Sequence, residues 1–204
     1  MTRIWAGVGV MVVAIAAVAA AAQPRAHAGR SQVRARPAAG RVTQARLSDA
    51  NILAMMKGGD SVEVVLSKWV RERTTNAGLR SYTEMLTRDH SKGVREVTAL
   101  ARRVHIRPQS PADDTTWQHN QHVEDRLAAL KGLAFDTAAS RHWIRDHRHD
   151  IQDTERMMKE AHNAEVRRSL EAELPTLRQH LTAAEALTRA LDREHGVVAR
   201  RARR

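Results

Sequence analysis

Three histidines sit where they could act together. His90 lies in "LTRDHSKGV", His147 in "IRDHRHDI" and His180 in "LPTLRQHL". His90 follows Leu86 by four residues and precedes Val97 by seven; His147 lies four residues from both Trp143 and Ile151. His180 follows Leu177 by three and precedes Leu187 by seven. On helices, each of the three belongs to an apolar stripe and turns inward. Glu63, between Met56 and Val70 in phase, is the best inward carboxylate of the first helical segment. Imidazoles and a carboxylate brought together from separate helices are ligands for a divalent metal ion. The same residues also suit a polar layer in an apolar core, each histidine neutral and bonded to a nearby Asp, Thr or carbonyl. Histidine on a helix face more often does the latter, so spacing alone favours the structural layer.

Two further observations bear on metal chemistry. The Glu-x-x-His spacing of di-iron bundles is missing, because Thr87, Ile144 and Leu177 stand three residues before the three histidines. Glu173 shares a face with His180 but lies about 10 Å along the axis, too far to share one ion. A second group, His142, Asp146, His149 and Asp153, is spaced i, i+4, i+7, i+11 on one face, rotated away from Trp143 and Ile151. Its expected role is a solvated polar face paired with Arg145 and Arg156, with weak divalent-ion binding as the alternative. His119 and His122, at i and i+3, read the same way. The chain has no cysteine, which excludes disulfides and thiolate metal sites.

The elements that must position these residues read as helices. Aromatic residues are only 3% of the chain while Ala, Leu, Arg and Glu abound, which disfavours sheets. Ser48-Asp49 caps a first helix carrying Ile52, Leu53, Met56, Val62, Val65, Leu66 and Trp69, with Gly58-Gly59 expected to interrupt it. Asn76 caps a second, from Leu79 through Val104, ending before Pro108. After the loop "RPQSPADDTT", Asp114 or Thr115 opens a short helix with Trp117, Val123, Leu127 and Leu130. A third long helix runs from about Phe135 to Ala161. A fourth carries Val166 through Leu191, with Pro175 expected to bend or restart it. The fold class is therefore all-α: a four-helix bundle with an extra short helix between the second and third long ones.

The ends differ in kind from the middle. "MTRIWAGVGVMVVAIAAVAAAAQPRAHAG" has one early Arg3, an uncharged stretch from Ile4 to Ala22, and the small-x-small set Ala26-His27-Ala28. It reads as a signal peptide, residues 1–28, cleaved after Ala28, which places the mature protein in the periplasm or otherwise outside the cytoplasm. Ala20-Ala21-Ala22 is a second candidate cleavage site, and an uncleaved amino-terminal anchor is the alternative. Residues 29–46 read as a disordered basic linker, 47–195 as the bundle, and 196–204 as a disordered basic tail. The formal net charge is +11, yet eleven arginines and no acid lie outside 47–195. The remaining 23 basic residues balance the 23 acids, leaving the bundle formally neutral. Basic tails on a neutral domain suggest weak contact with an anionic membrane or cell-wall surface. They do not suggest a nucleic-acid groove, so nucleic acid is not an expected partner.

The stretch "SVEVVLSKWVRERTTNAGLRSYTEMLTRDHSKGVREVTALAR", with Gly132, Phe135-Asp136, Asp146-His147 and Leu174-Pro175 through His180-Leu181, resembles the family of domain of unknown function 4142. The resemblance spans nearly all of 47–195. It implies an exported, ferritin-like four-helix bundle with Glu63, His90, Asp136, His147 and His180 turned inward. A tyrosine usual four residues after the family's Phe-Asp pair is Ser140 here. The resemblance implies no activity, and no nucleophile–base pair, phosphate loop or cofactor fingerprint stands in the chain. The leading functional expectation is a non-enzymatic envelope protein. One alternative is a metal-binding or metal-dependent redox protein using His90, His147 and His180 with Glu63 or Asp136. Another is an adaptor held to anionic surfaces by its tails.

Overall fold

The computed structural model describes residues 46–201. The signal peptide and cleavage site expected at 1–28, and the linker up to residue 45, lie outside the described residues. Among the described residues every regular element is a helix: α1 Asp49–Arg73, α2 Ala77–Arg103, α3 Thr116–Ala128, α4 Gly132–Glu160 and α5 Ala164–Arg201. None of them is long and apolar enough to cross a membrane.

Local chemistry sets the helix starts. Ser48 Oγ accepts from the Asn51 N–H at 3.1 Å while Asn51 Oδ1 accepts from the Ser48 N–H at 3.2 Å, a reciprocal cap on α1. Asn76 Oδ1 accepts from the Leu79 N–H at the start of α2, and Asn163 Oδ1 from the Glu165 N–H at the start of α5. At α3 it is Asp114 that accepts the Thr116 N–H, at 3.0 Å. The α2 end is closed by His105 at φ 55, in the left-handed region, with the Ile106 N–H donating to the Ala101 carbonyl at 3.0 Å.

Several expectations about the helices are corrected. Gly58-Gly59 does not interrupt α1, and a Cβ at either position would meet nothing within 4 Å, so no backbone approaches there. Each glycine costs about 1 kcal/mol relative to alanine in a helix, and the buried Ile52, Leu53, Met56 and Leu66 on either side offset it. Pro175 does not restart α5; one backbone bond is lost, but Leu170, Leu174 and Leu177 remain buried across it. The tail expected from 196 is helical as far as Arg201. On α3 the buried stripe is Val123 and Leu127, whereas Trp117 in its first turn and Leu130 beyond its end are exposed.

Short turns at 74–76 and 161–163 make two hairpins, α1 with α2 and α4 with α5. The hairpins meet through α2 and α5, and α3 lies against both α1 and α4 along the seam between them. The core divides into two apolar clusters. One holds Leu66, Leu79, Tyr82, Leu86, Trp143 and Ala184; the other holds Ile52, Leu53, Val97, Leu100, Val166 and Leu170. Between these clusters every long helix turns polar residues inward, Asp60 and Glu63, His90, Asp146 and His147, Glu173 and His180, with the buried Leu174 and Leu177 between the last two on α5. Four helices thus turn polar at one level, and that level is the candidate site.

Candidate metal centre

His90 from α2, His147 from α4 and His180 from α5 meet in this layer, all buried, with one nitrogen of each ring within 4.8 Å of one from each other ring. Ring centroids are 5.1 Å apart for His90–His180, 5.2 Å for His147–His180 and 6.0 Å for His90–His147. The outward nitrogen of each ring has its own partner. His147 Nδ1–H donates to the Trp143 carbonyl at 3.0 Å, one turn earlier on α4. His180 Nε2 lies 3.2 Å from Asp89 Oδ2, and His90 Nδ1 lies 2.8 Å from Asp60 Oδ1.

These partners decide where the protons go. Burial lowers the histidine pKa values, His147 to about 3 and His90 and His180 to about 4, so each ring is neutral near pH 7. A neutral imidazole has one N–H. The proton of His147 is committed to Trp143. Desolvation at Asp89 is outweighed by hydrogen bonds from Arg88 and His180, which hold it below the usual carboxylate range and hence ionised. An ionised oxygen facing a lone pair would be repulsive, so His180 carries its proton on Nε2. That leaves His147 Nε2 and His180 Nδ1 as two lone pairs facing one another at 3.3 Å with no proton between them. Two nitrogens about 2.0–2.1 Å from one ion at the tetrahedral angle stand about 3.3 Å apart. The third nitrogen, His90 Nε2, is buried and has no hydrogen-bond partner.

Asp60 is the residue sequence reasoning missed. It is buried on α1, and burial raises its carboxyl to about 8. With His90 lowered by the same burial, the pair carries no net charge at neutral pH. A cation on Nε2 would draw the pair toward carboxylate and Nδ1–H, with one proton released. The signal for Asp60 is Gly93, one turn after His90. A Cβ there would overlap the Asp60 carboxylate, so α2 carries glycine where Asp60 must reach past it.

Glu63 does not join the histidines. It forms a second cluster with His142 and Asp146, again with ligand atoms within 4.8 Å of one another. Trp143 Nε1–H donates to Glu63 Oε2 at 2.8 Å. Burial, then the neighbouring Asp146 and Asp150, push the Glu63 carboxyl well above its usual value. His142, expected on a solvated face, is only 6% exposed, because α3 covers that side of α4. His149 and Asp153 stay near the surface, 3.4 Å apart, with Arg156 3.1 Å from Asp153 as expected. Asp146, expected on that solvated face paired with Arg145 and Arg156, turns instead toward Glu63 and lies 3.9 Å from His142. Asp89 pairs with Arg88 of its own helix as well as with His180.

Asp136 serves another purpose. Its Oδ1 accepts the Thr74 hydroxyl at 2.6 Å, tying α4 to the α1–α2 turn, and it lies eleven residues, about 16 Å, along α4 from His147. Ser140 is buried and bonded to the Thr137 carbonyl and the Thr188 hydroxyl, at 3.0 and 2.9 Å.

A cavity of about 550 Å³ opens beside this layer between α1, α3 and α4. Asp60, Glu63, His90, Asp146, Asp150 and Glu173 are among the residues that line it. Burial, then Asp60, raises Glu173 to about 8, and its Oε2 is buried without a partner.

The fold and site define an all-helical bundle with an inward histidine centre. The family model described as "Domain of unknown function (DUF4142)" matches residues 31–187, and the chain belongs to that family. No curated protein and no solved structure matches it.

Proposed function

We propose that this protein binds a divalent transition-metal ion through His90, His147 and His180, and that it does so outside the cytoplasm. One observation carries the reading: the lone pairs of His147 Nε2 and His180 Nδ1 face one another with no proton between them, His90 Nε2 lies beside them without a partner, and each ring is oriented from behind by Asp60, the Trp143 carbonyl or Asp89. A ligating histidine is held in this way, by a carboxylate or carbonyl on its other nitrogen. A layer that merely kept helices in register would satisfy its own buried groups, yet His90 Nε2 has no partner. Three neutral imidazoles suit zinc, iron, copper or nickel over magnesium or calcium. The extracytoplasmic location rests on the stretch ending at Ala26-His27-Ala28. Amino-terminal sequencing of secreted material should begin near Gly29, and finding Met1 instead would refute that part.

The metal reading is tested on chelator-stripped protein titrated with Zn²⁺. Zinc should raise the melting temperature of the parent, and His147→Ala and His147→Leu should abolish that rise alike. If the parent shows no rise while His147→Leu is markedly better tolerated than His147→Ala, the layer is structural and the proposal fails.

A further inference from the structure

We infer that the cavity beside the histidine centre holds a second divalent cation, bound by Glu63, Asp146 and His142. It uses different residues from the three-histidine site, so either site can fail without the other. The three donor atoms lie within 4.8 Å of one another, and Glu63 and His142 are 5% and 6% exposed. Glu63 is aimed by the Trp143 indole N–H, whose backbone carbonyl orients His147, so one residue braces a ligand in each site. His142 makes no hydrogen bond among the described residues; its distance to Asp146, 3.9 Å, is too long for one. It is therefore a buried imidazole that lines the cavity and faces two carboxylates without a hydrogen bond to either. Arg126 and Arg145 also line the cavity, but among the described residues neither is within ion-pair distance of these acids. Glu63 and Asp146 are hydrogen-bonded to one another, and a cation between the two would take the place of the proton they share.

The donor set fixes the ligand class. Two carboxylates, one imidazole and a cavity roomy enough for water favour an oxygen-preferring ion such as Mn²⁺, with water in the remaining positions. The neighbouring all-nitrogen centre favours Zn²⁺. The two sites should therefore be filled by different ions.

The probe is Mn²⁺, titrated into the full chain already carrying one equivalent of Zn²⁺ and followed by loss of the free-ion electron paramagnetic resonance signal. The parent should take up one Mn²⁺, and its spin-echo spectrum should show coupling to a single imidazole nitrogen. The near-isosteric Glu63→Gln and Asp146→Asn should weaken uptake at least about 10-fold, whereas His180→Gln should disturb the zinc site and leave Mn²⁺ uptake in place. No uptake by the parent, uptake without nitrogen coupling, or uptake undiminished in both carboxylate variants would overturn the inference. If a variant does not fold, the nitrogen coupling of the parent decides. Zinc binding without manganese binding leaves the first site standing and removes the second.

Discussion

At the scale of single residues, the site depends on what stands behind each ligand. His90 is directed by Asp60, and Asp60 reaches it only because position 93 has no Cβ. Gly93→Ala would remove a mid-helix glycine, a change worth roughly 0.5–1 kcal/mol of stability on an open face. Here it collides with the carboxylate of a short, buried side chain. We expect Gly93→Ala to leave the helical content intact while weakening Zn²⁺ affinity about 10–100-fold, the usual effect of losing an orienting partner. Isothermal titration of parent and variant checks this. Unchanged affinity would show that Asp60 does not orient His90. Asp136 shows the opposite case, a buried carboxylate whose hydroxyl partner, Thr74, fully explains its place.

At the scale of elements, the hairpins are fastened end to end. The Asp49 carboxylate in the first turn of α1 accepts the His162 and Asn163 N–H groups of the α4–α5 turn, at 3.0 Å each. The Leu47 N–H donates to Glu160 Oε2 at 2.7 Å beside it. Hydrogen bonds to a charged group contribute about 1.5–3 kcal/mol when partly buried, less where water competes. Asp49→Ala is therefore expected to cost about 1–2 kcal/mol, measured as a lower urea midpoint with an unchanged slope. A change below about 0.3 kcal/mol would mean the turn is held by the apolar cluster alone. In the core of that cluster, Leu170 is fully buried, and Leu170→Ala should cost about 2–5 kcal/mol by the same measurement.

For the whole molecule, the polar layer makes stability depend on pH in both directions. Asp60 and Glu173 are raised by burial to about 8, so the folded chain keeps protons that the unfolded chain releases near pH 4. Their contribution is complete in acid and is lost as pH rises toward 8. His90, His142 and His180 are lowered by burial to about 4, and His147 to about 3, so the unfolded chain binds protons below 6.5 that the folded chain refuses. Their contribution is complete above 6.5 and is lost as pH falls toward 3. Burial raises Glu63 and Asp150 in the same direction, so four carboxyls oppose four histidines and between roughly 4.5 and 6.5 the two slopes nearly cancel. Chelator-treated protein should thus melt highest near pH 5–6, with the midpoint falling toward pH 8 and again toward pH 3. A midpoint that rose steadily from pH 6 to 8 would contradict the buried, protonated carboxylates. The described residues form one compact unit, and a chain of 46–201 should melt as cooperatively as the parent.

Much of this was legible in the order of residues. Apolar period, Ser48, Asn76 and the Leu-rich stripe of α5 specify the helices, because 3.6-residue spacing and capping are local properties. The inward phase of His90, His147 and His180 follows from the same spacing. Spacing could not tell a solvated histidine from a covered one. His142 looks like a surface residue until α3 is laid across α4. It could not place Glu63 and Asp136: Asp136 sits at a different height and bonds Thr74, while Glu63, in the same layer as the histidines, answers to Trp143 and Asp146. Nor did it single out Asp60, which lies four residues after Met56 and seven after Leu53 and so shares their inward phase, but whose partner is decided only where α2 passes close at Gly93. Helical phase gives a direction around one axis. Which donors face which lone pairs depends on the height and rotation of four axes relative to one another, and those are set by the packing of two apolar clusters on either side of the polar layer.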